Sequence, residues 1–343
     1  MYRTLGSGSA ALRVSSQGFG CMGMTAFYGT PMSDTDGIAL IQHAFQSGIT
    51  HFDTAEVYQG KDNHNNTLYN EHIVGKGIAA IGIAKRNEIQ IATKYMPRLH
   101  KPDDQMTSQM VVDACRESCQ RLGVDYVDLY YVHRLHPTVP VEQQAEAMNA
   151  VKAAGLAKHI GVSEFSPKNL KAFHSICPVT CIQQEWSLMN RDLEEDLVPL
   201  CRELGIGIVA YSPLCRKLLS GDLKSVNDLQ EGDLRASRYG RLEPGNLSAN
   251  SVLVDKVAAM AKEKGLTAAQ LSLNWVQSQG IDVCPIPGTT SIAHLSDNVA
   301  AMKVAMLSQE ECNVVAALVP KEEVHGNRYA GNDAKRGTYK SNM

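Results

Sequence analysis

The chain reads as an α/β protein, a (β/α)8 TIM barrel with an N-terminal β-hairpin and a C-terminal extension. Three observations predict this. From residue 18 onward, eight short apolar runs alternate with longer amphipathic stretches, which is the order that builds a parallel sheet with helical crossovers. Several amphipathic stretches close on a glycine, where a left-handed helix cap is wanted. The length of 343 residues suits one barrel domain spanning 1–343.

The elements follow in order. Arg3–Leu5 and Leu12–Ser15 flank a Gly/Ser turn, which predicts a hairpin within residues 1–17 that plugs one end of the barrel. The eight strands are expected at Gly18–Met22, Thr50–Thr54, Ile89–Lys94, Val127–His133, His159–Ser163, Cys181–Gln184, Gly207–Tyr211 and Val283–Pro287. Helical periodicity is strongest over Ser33–Ser47, Asn70–Ala80, Thr107–Leu122, Val141–Ala154, Leu193–Leu204 and Val252–Lys264, with Gly48, Gly123, Gly155, Gly205 and Gly265 at their ends. Closing eight strands on themselves removes both sheet edges. The polar stretch Leu214–Asn250 is too long for an ordinary connection and is read as a functional loop after strand seven. The polar tail over 321–343 is either disordered or folded over the barrel mouth.

Composition narrows the function classes. With 44% hydrophobic residues, 20% charged residues and a net charge of -3, nothing points to nucleic acid as a partner. The N-terminus lacks an apolar core long enough for a signal peptide, and no run of about 20 apolar residues could enter a membrane. Nine cysteines without a CxxC pair or zinc spacing fit a reducing, cytoplasmic setting, and Cys115 and Cys119 are read as small buried thiols on one helix face. No feature of the sequence sets the oligomeric state.

In such a barrel the active site lies at the C-terminal ends of the strands. Four ionisable residues stand there. Asp53 ends HFD, Tyr58 follows in the next loop, Lys94 ends IQIATK and His133 ends VDLYYVH. A nearby ammonium stabilises a phenolate, so Lys94 is expected to bring down the Tyr58 phenol's ordinary pKa of about 10. Asp53 would hold Lys94, and His133 would orient a carbonyl oxygen beside Tyr58. Singly, each has a plainer reading: a helix cap, a snorkelling lysine or a core histidine. Together on consecutive strands they suit carbonyl reduction or its reverse. A metal site from His51, Asp53, His133 and His136 fails on ligand count and geometry, so no metal is expected.

The blocks GITHFDTAEVY, NEHIVGKGI, IATKY, VDLYYVH, HIGVSEF, CIQQEWSLMNR, IVAYSPL and CPIPGTTSIAHLSDNVAA, in this order, resemble the aldo-keto reductase superfamily over nearly the whole chain. The resemblance implies that Asp53, Tyr58, Lys94 and His133 are the catalytic tetrad, with Tyr58 as general acid. It implies that Ser163, Glu164 and Gln183 bind the nicotinamide carboxamide and that Trp186 stacks on the ring. Tyr211, Ser212, Pro213, Leu214, Arg216 and the later Gly221 match the segment that wraps the pyrophosphate. Gly288, Thr290, His294, Asp297 and Asn298 fall in the remaining cofactor-binding block.

No GxGxxG is present, as expected of a family that does not bind its cofactor on a Rossmann fold. The resemblance implies NADPH. Thr289, Thr290, Ser291 and His294 stand where relatives favouring that cofactor often place lysine or arginine, which leaves NADH a serious alternative. Backbone amides near Ser291 could still receive a 2′-phosphate.

The function expected is therefore an NAD(P)H-dependent oxidoreductase that reduces a small-molecule aldehyde or ketone. The alternative is a cofactor-binding regulatory subunit of a potassium channel. The hairpin begins at once, with nothing resembling an inactivation segment before it, which favours the enzyme. Met24, Tyr28, Met96, Arg134, His136 and Trp186 are candidates to line the substrate pocket.

Overall fold

The computed structural model describes residues 1–62, 64–100, 105–229 and 233–330. Two antiparallel strands, β1 (Tyr2–Leu5) and β2 (Leu12–Ser15), come first. The barrel strands are β3 (Phe19–Gly20), β4 (His51–Asp53), β7 (Gln90–Tyr95), β8 (Val127–Val132), β9 (Ala157–Ser163), β10 (Cys181–Glu185), β11 (Gly207–Tyr211) and β12 (Val283–Ile286). A small antiparallel hairpin, β5 (Gln59–Lys61) and β6 (Thr67–Tyr69), sits in the loop after β4.

The eight barrel strands pair in sequential order and in parallel. The seam between β12 and β3 is closed by Gly18 N–H donating to the Pro285 carbonyl at 2.9 Å and Gly20 N–H to that of Pro287 at 3.2 Å. Gly288 is needed at this seam, because a Cβ there would lie 2.6 Å from the Gly20 carbonyl oxygen.

Apart from exposed Lys158 and a few partly buried positions at strand ends, the barrel strands are buried on both faces, which is why they read as continuous apolar runs. Alternation still decides which side chain points where. Ala92, Leu129, Tyr131, Cys181, Val209 and Cys284 point inward and pack with Leu5, Leu12 and Val14 of the first hairpin. Their neighbours Ile91, Tyr130, Ile182 and Ile208 point outward into the layer shared with the helices.

The covering helices are α1 (Asp34–Gln46), α2 (Asn70–Ile81), α3 (Ser108–Leu122), α4 (Val141–Ala153), α5 (Pro167–His174), α6 (Leu197–Leu204), the single turn α7 (Arg235–Arg238), α8 (Pro244–Glu263), α9 (Ala268–Gln277), α10 (Ile292–Ala300) and α11 (Gln309–Ala317). The six helices read from periodicity are present. α5, α9 and α11 were not legible, and α8 begins at Pro244, eight residues before the apolar stripe from Val252 announces it. Pro244 in the first turn needs no N–H partner, so the helix starts there within polar sequence.

The described part of the tail folds back on the barrel mouth. Asn250 Nδ2 donates to the His325 carbonyl at 2.9 Å and its Oδ1 accepts from His325 N–H at 2.9 Å. Arg241 N–H donates to Asn327 and Ala330 N–H to Arg238. The rest of the tail expected over 321–343, from 331 on, lies outside the described residues. Among the described residues no helix is long and apolar enough to cross a membrane, and all nine cysteines are buried and unpaired.

Candidate active site

Strand parity builds the site. Two residues beyond inward-facing Ala92 stands Lys94, and two beyond Tyr131 stands His133. Asp53 ends β4 beside them, in register with Ala92. Tyr58 lies in the following loop, where its carbonyl accepts from Asn70 N–H, the first residue of α2, at 2.9 Å.

Lys94 is fully buried, and its ammonium is satisfied on three sides. Nζ donates to Asp53 Oδ1 at 2.5 Å, to the Thr54 carbonyl at 2.8 Å and to the Tyr58 hydroxyl oxygen at 3.4 Å. Burial favours the neutral amine, but Asp53 and Tyr58 override it and hold the Lys94 pKa above its ordinary value. The second Asp53 oxygen accepts from Gln183 Nε2 at 2.7 Å. Because Tyr58 accepts from Lys94, its own proton is left for a ligand.

Burial keeps the Tyr58 phenol above its usual value, and Lys94 offsets only part of this. The expected net lowering by Lys94 is not met, because the low-dielectric wall penalises the phenolate more than one ammonium, itself shared with Asp53, repays. The His133 ring stands edge-on to Tyr58, with centroids 5.8 Å apart. Burial and then Arg134, Lys94 and Arg98 press its pKa well below the ordinary range, so the imidazole is neutral.

These groups open into an elongated cavity of about 1800 Å³. Tyr58, Asp53, His133, Ser163, Gln183, Tyr211, Ser212, Pro213, Leu214, Arg216, Gly288, Thr290, His294, Asp297 and Asn298 all line it. Of the candidate pocket residues, Tyr28, Met96, Arg134 and His136 line it too, whereas Met24 and Trp186 do not. At the end remote from Tyr58, Ser291 caps α10, its hydroxyl accepting from His294 N–H. His294 lies 4.0 Å from Asp222, and Asp297 is held by Thr267 and Gln270.

Beyond Met24, three residues expected at the cofactor site are placed differently from expectation. Trp186 follows outward-facing Ile182 and Gln184 in parity, so it points into the helix layer, donates to Glu194 Oε1 at 3.1 Å and meets Trp275 edge-on. It cannot stack on a ligand in the cavity, whereas Tyr211, which ends the neighbouring strand, does line it. Glu164 is fully buried at φ 60°, and its carboxylate accepts from Arg328 Nη2 at 2.7 Å, Arg328 Nη1 at 3.1 Å and the Tyr211 hydroxyl at 2.7 Å. It is not a cavity-facing acceptor. Arg216 lines the cavity, but its fork is committed to Glu185 with two bonds of 2.9 Å, and the guanidinium lies 3.8 Å from the centre of the Tyr239 ring.

Sequence reasoning missed Glu185 and Arg328. Glu185 is an ionisable residue at the end of an apolar strand, on the inward parity of Cys181 and Gln183, and the rule that picked Lys94 would have picked it. Arg328 carried no local signal. Its Nε donates to Glu185 Oε2 at 3.0 Å and its Nη2 to the Tyr211 hydroxyl at 2.6 Å. Among the described residues no group of three His, Cys, Asp or Glu side chains is placed to hold a metal. His51 is buried behind Asp53 with both ring nitrogens unpartnered.

The donor set fits a dinucleotide. The cavity exceeds the roughly 300–1000 Å³ of ordinary small-molecule sites, and it joins the end lined by Tyr58 and His133 to a helix N-terminus with serine and threonine hydroxyls. Ser212, Arg216 and Lys217 on its wall, with Cys215 buried between them, hold left-handed backbone, a strained turn of the kind kept at ligand sites.

Comparisons with known proteins point to one family. The model of the Aldo/keto reductase family matches residues 18–320. A probable aldo-keto reductase 1 from Glycine max is 41% identical over 325 residues, 94% of this chain and 90% of that protein. The structure of an aldo-keto reductase from Klebsiella pneumoniae in complex with NADPH is 25% identical, covers 96% of this chain and 100% of its own, and superposes with a TM-score of 0.70. The glycerol dehydrogenase AKR11B4 from Gluconobacter oxydans, 24% identical with 92% and 94% covered, shares the fold with a TM-score of 0.76.

Proposed function

Because the chain belongs to the aldo/keto reductase family, and is thus an oxidoreductase, we propose that it reduces aldehydes or ketones to alcohols with Tyr58 as proton donor and NADPH as the preferred reductant. The observation that carries this is the buried chain from the Asp53 carboxylate through the Lys94 ammonium to the Tyr58 hydroxyl, beside a neutral imidazole.

A nicotinamide cofactor held by these residues would supply the hydride that the carbonyl carbon takes up. Tyr58 transfers its proton to the carbonyl oxygen, and Lys94, already donating to Tyr58, stabilises the phenolate left behind. Asp53 fixes Lys94 and keeps its charge compensated, and Gln183 fixes Asp53. Neutral His133 offers a ring N–H that orients the carbonyl oxygen next to Tyr58 without adding a competing charge. In the reverse direction Tyr58 takes the proton back as general base.

Ser163, Gln183 and Tyr211 are assigned to the nicotinamide end, and Ser212, Pro213, Leu214 and Arg216 to the pyrophosphate. Arg216 must then share or leave Glu185. Gly288, Thr290, Ser291, His294, Asp297 and Asn298 are assigned to the adenosine end, where the amides of α10 receive a 2′-phosphate. Asp222 beside His294 reduces the margin over NADH. The complex of the Klebsiella pneumoniae relative with NADPH supports the choice.

The test is Tyr58→Phe. Turnover of simple aldehydes falls by about 10²–10⁴-fold, while the cofactor dissociation constant stays at the native value. Equal turnover by the two chains refutes Tyr58 as the acid. In a fluorescence titration NADPH binds a few-fold tighter than NADH, and tighter NADH binding overturns the cofactor choice.

A further inference from the structure

The wall beside Tyr58 and His133 holds more positive charge than its carboxylates neutralise. Glu164 and Glu185 are both fully buried there. Arg328 reaches both of them, and Arg216 forks onto Glu185. These two carboxylates are thereby engaged.

Arg134, the residue after His133, lines the cavity on the same wall with different partners. Its Nη1 donates to the His133 carbonyl at 2.6 Å and to Ser163 Oγ at 3.2 Å. It forms no ion pair among the described residues. Asp53, the acid nearest the reacting end, is taken by Lys94, and Asp222 and Asp297 belong to the α10 end. Glu164, the carboxylate whose field reaches Arg134, already bonds directly to Arg328, so an arriving anion would be the first acid in direct contact with the Arg134 guanidinium. The N–H groups left over when Nη1 is anchored form a fork suited to a carboxylate.

We propose that Arg134 is a substrate-binding group and that this enzyme takes carbonyl compounds carrying a carboxylate. The inference rests on the carbonyl-reduction reading above. Arg134 is hydrogen-bonded to the carbonyl of His133 itself, so an acidic group held by the fork sets the position of the substrate carbonyl relative to the orienting imidazole. Arg134 touches the substrate remote from the reacting atoms and serves specificity.

The experiment compares 4-carboxybenzaldehyde with 4-nitrobenzaldehyde, similar in size and different in charge, in the native enzyme, Arg134→Met and Arg134→Lys. The native enzyme prefers the anion. In Arg134→Met the ratio of kcat/KM values, anionic over neutral, falls on the order of tenfold or more, carried by the aldehyde KM, since a charge-assisted bond is lost. Arg134→Lys recovers part of the ratio, because charge returns without the fork. A ratio unchanged within about twofold, or a change confined to the cofactor KM, overturns the proposal and gives Arg134 to the cofactor. If the native chain reduces neither aldehyde, the carbonyl-reduction reading has failed, and calorimetric titration of the NADPH-loaded protein with 4-carboxybenzyl alcohol decides Arg134 separately. Saturable binding lost in Arg134→Met supports the anion site, and binding equal in both or absent from both overturns it.

Discussion

Replacing Arg328 by methionine should destabilise the protein in a pH-dependent way. The arginine makes four hydrogen bonds: two to Glu164, one to Glu185 and one to the Tyr211 hydroxyl. Glu185 keeps the Arg216 fork and lies 3.6 Å from Arg241, so it remains compensated. Glu164 keeps the Tyr211 hydroxyl but loses its ion pair, at no solvent exposure. Removing one partner from a buried pair costs about 3–5 kcal/mol. With a urea m-value of about 3 kcal/mol/M, the unfolding midpoint falls by roughly 1–1.7 M.

The sign of the pH effect follows from Glu164. Burial alone would raise its pKa, but Arg328, Arg134 and the bond from Tyr211 hold it below the ordinary range. In the native chain this carboxylate contributes stability above its unfolded pKa of about 4.3, and that contribution is lost as pH falls through the depressed folded value. In Arg328→Met burial dominates and the folded pKa rises, so acidification protonates Glu164 and relieves part of the penalty. The gap between native and variant midpoints, followed by circular dichroism, therefore narrows from about pH 7.5 to about pH 5. Adding Glu164→Gln to the variant should restore part of the midpoint. A gap below about 0.3 M, or one identical at both pH values, refutes the buried-pair reasoning.

Other perturbations have equally definite outcomes. Asp53→Asn leaves the Lys94 ammonium buried without its counter-charge, so stability drops by about 3–5 kcal/mol in urea melts; a loss under about 1 kcal/mol would mean that the Thr54 carbonyl suffices. Gly288→Ala places a Cβ 2.6 Å from the Gly20 carbonyl oxygen, and the strained seam should cost about 1–3 kcal/mol and weaken cofactor binding; native affinity and midpoint would contradict the close approach. Burial and neighbouring cations hold the His133 pKa well below the ordinary value. Aldehyde reduction should therefore show no break near the usual histidine pKa of about 6.5. His133 should also make native stability decline as pH falls below about 6.5, because only the unfolded chain then takes up the proton. A His133-dependent inflection of the rate near neutrality would show that the imidazole titrates.

The sequence by itself determined the order of the eight barrel strands, the hairpin before them and the gathering of Asp53, Tyr58, Lys94 and His133 at one end of the barrel, because each rests on short-range regularity. Alternating apolar runs set the strands, and an ionisable residue at the end of an apolar strand has few roles other than the barrel mouth. The same parity, carried two residues further, also contained Glu185 and the outward direction of Trp186. Helices α5, α9 and α11 were illegible because they are short, between eight and ten residues, and tertiary packing rather than a long stripe stabilises them. Only the tertiary structure decided that Arg328, 143 residues beyond Glu185 in the chain, bonds to it. Ion pairing depends on which charges come within a few ångströms after folding, and residue spacing along the chain carries no record of that. The same holds for Tyr58: proximity to Lys94 was foreseeable, but the balance between that ammonium and burial follows from the depth of the cavity wall, and burial wins.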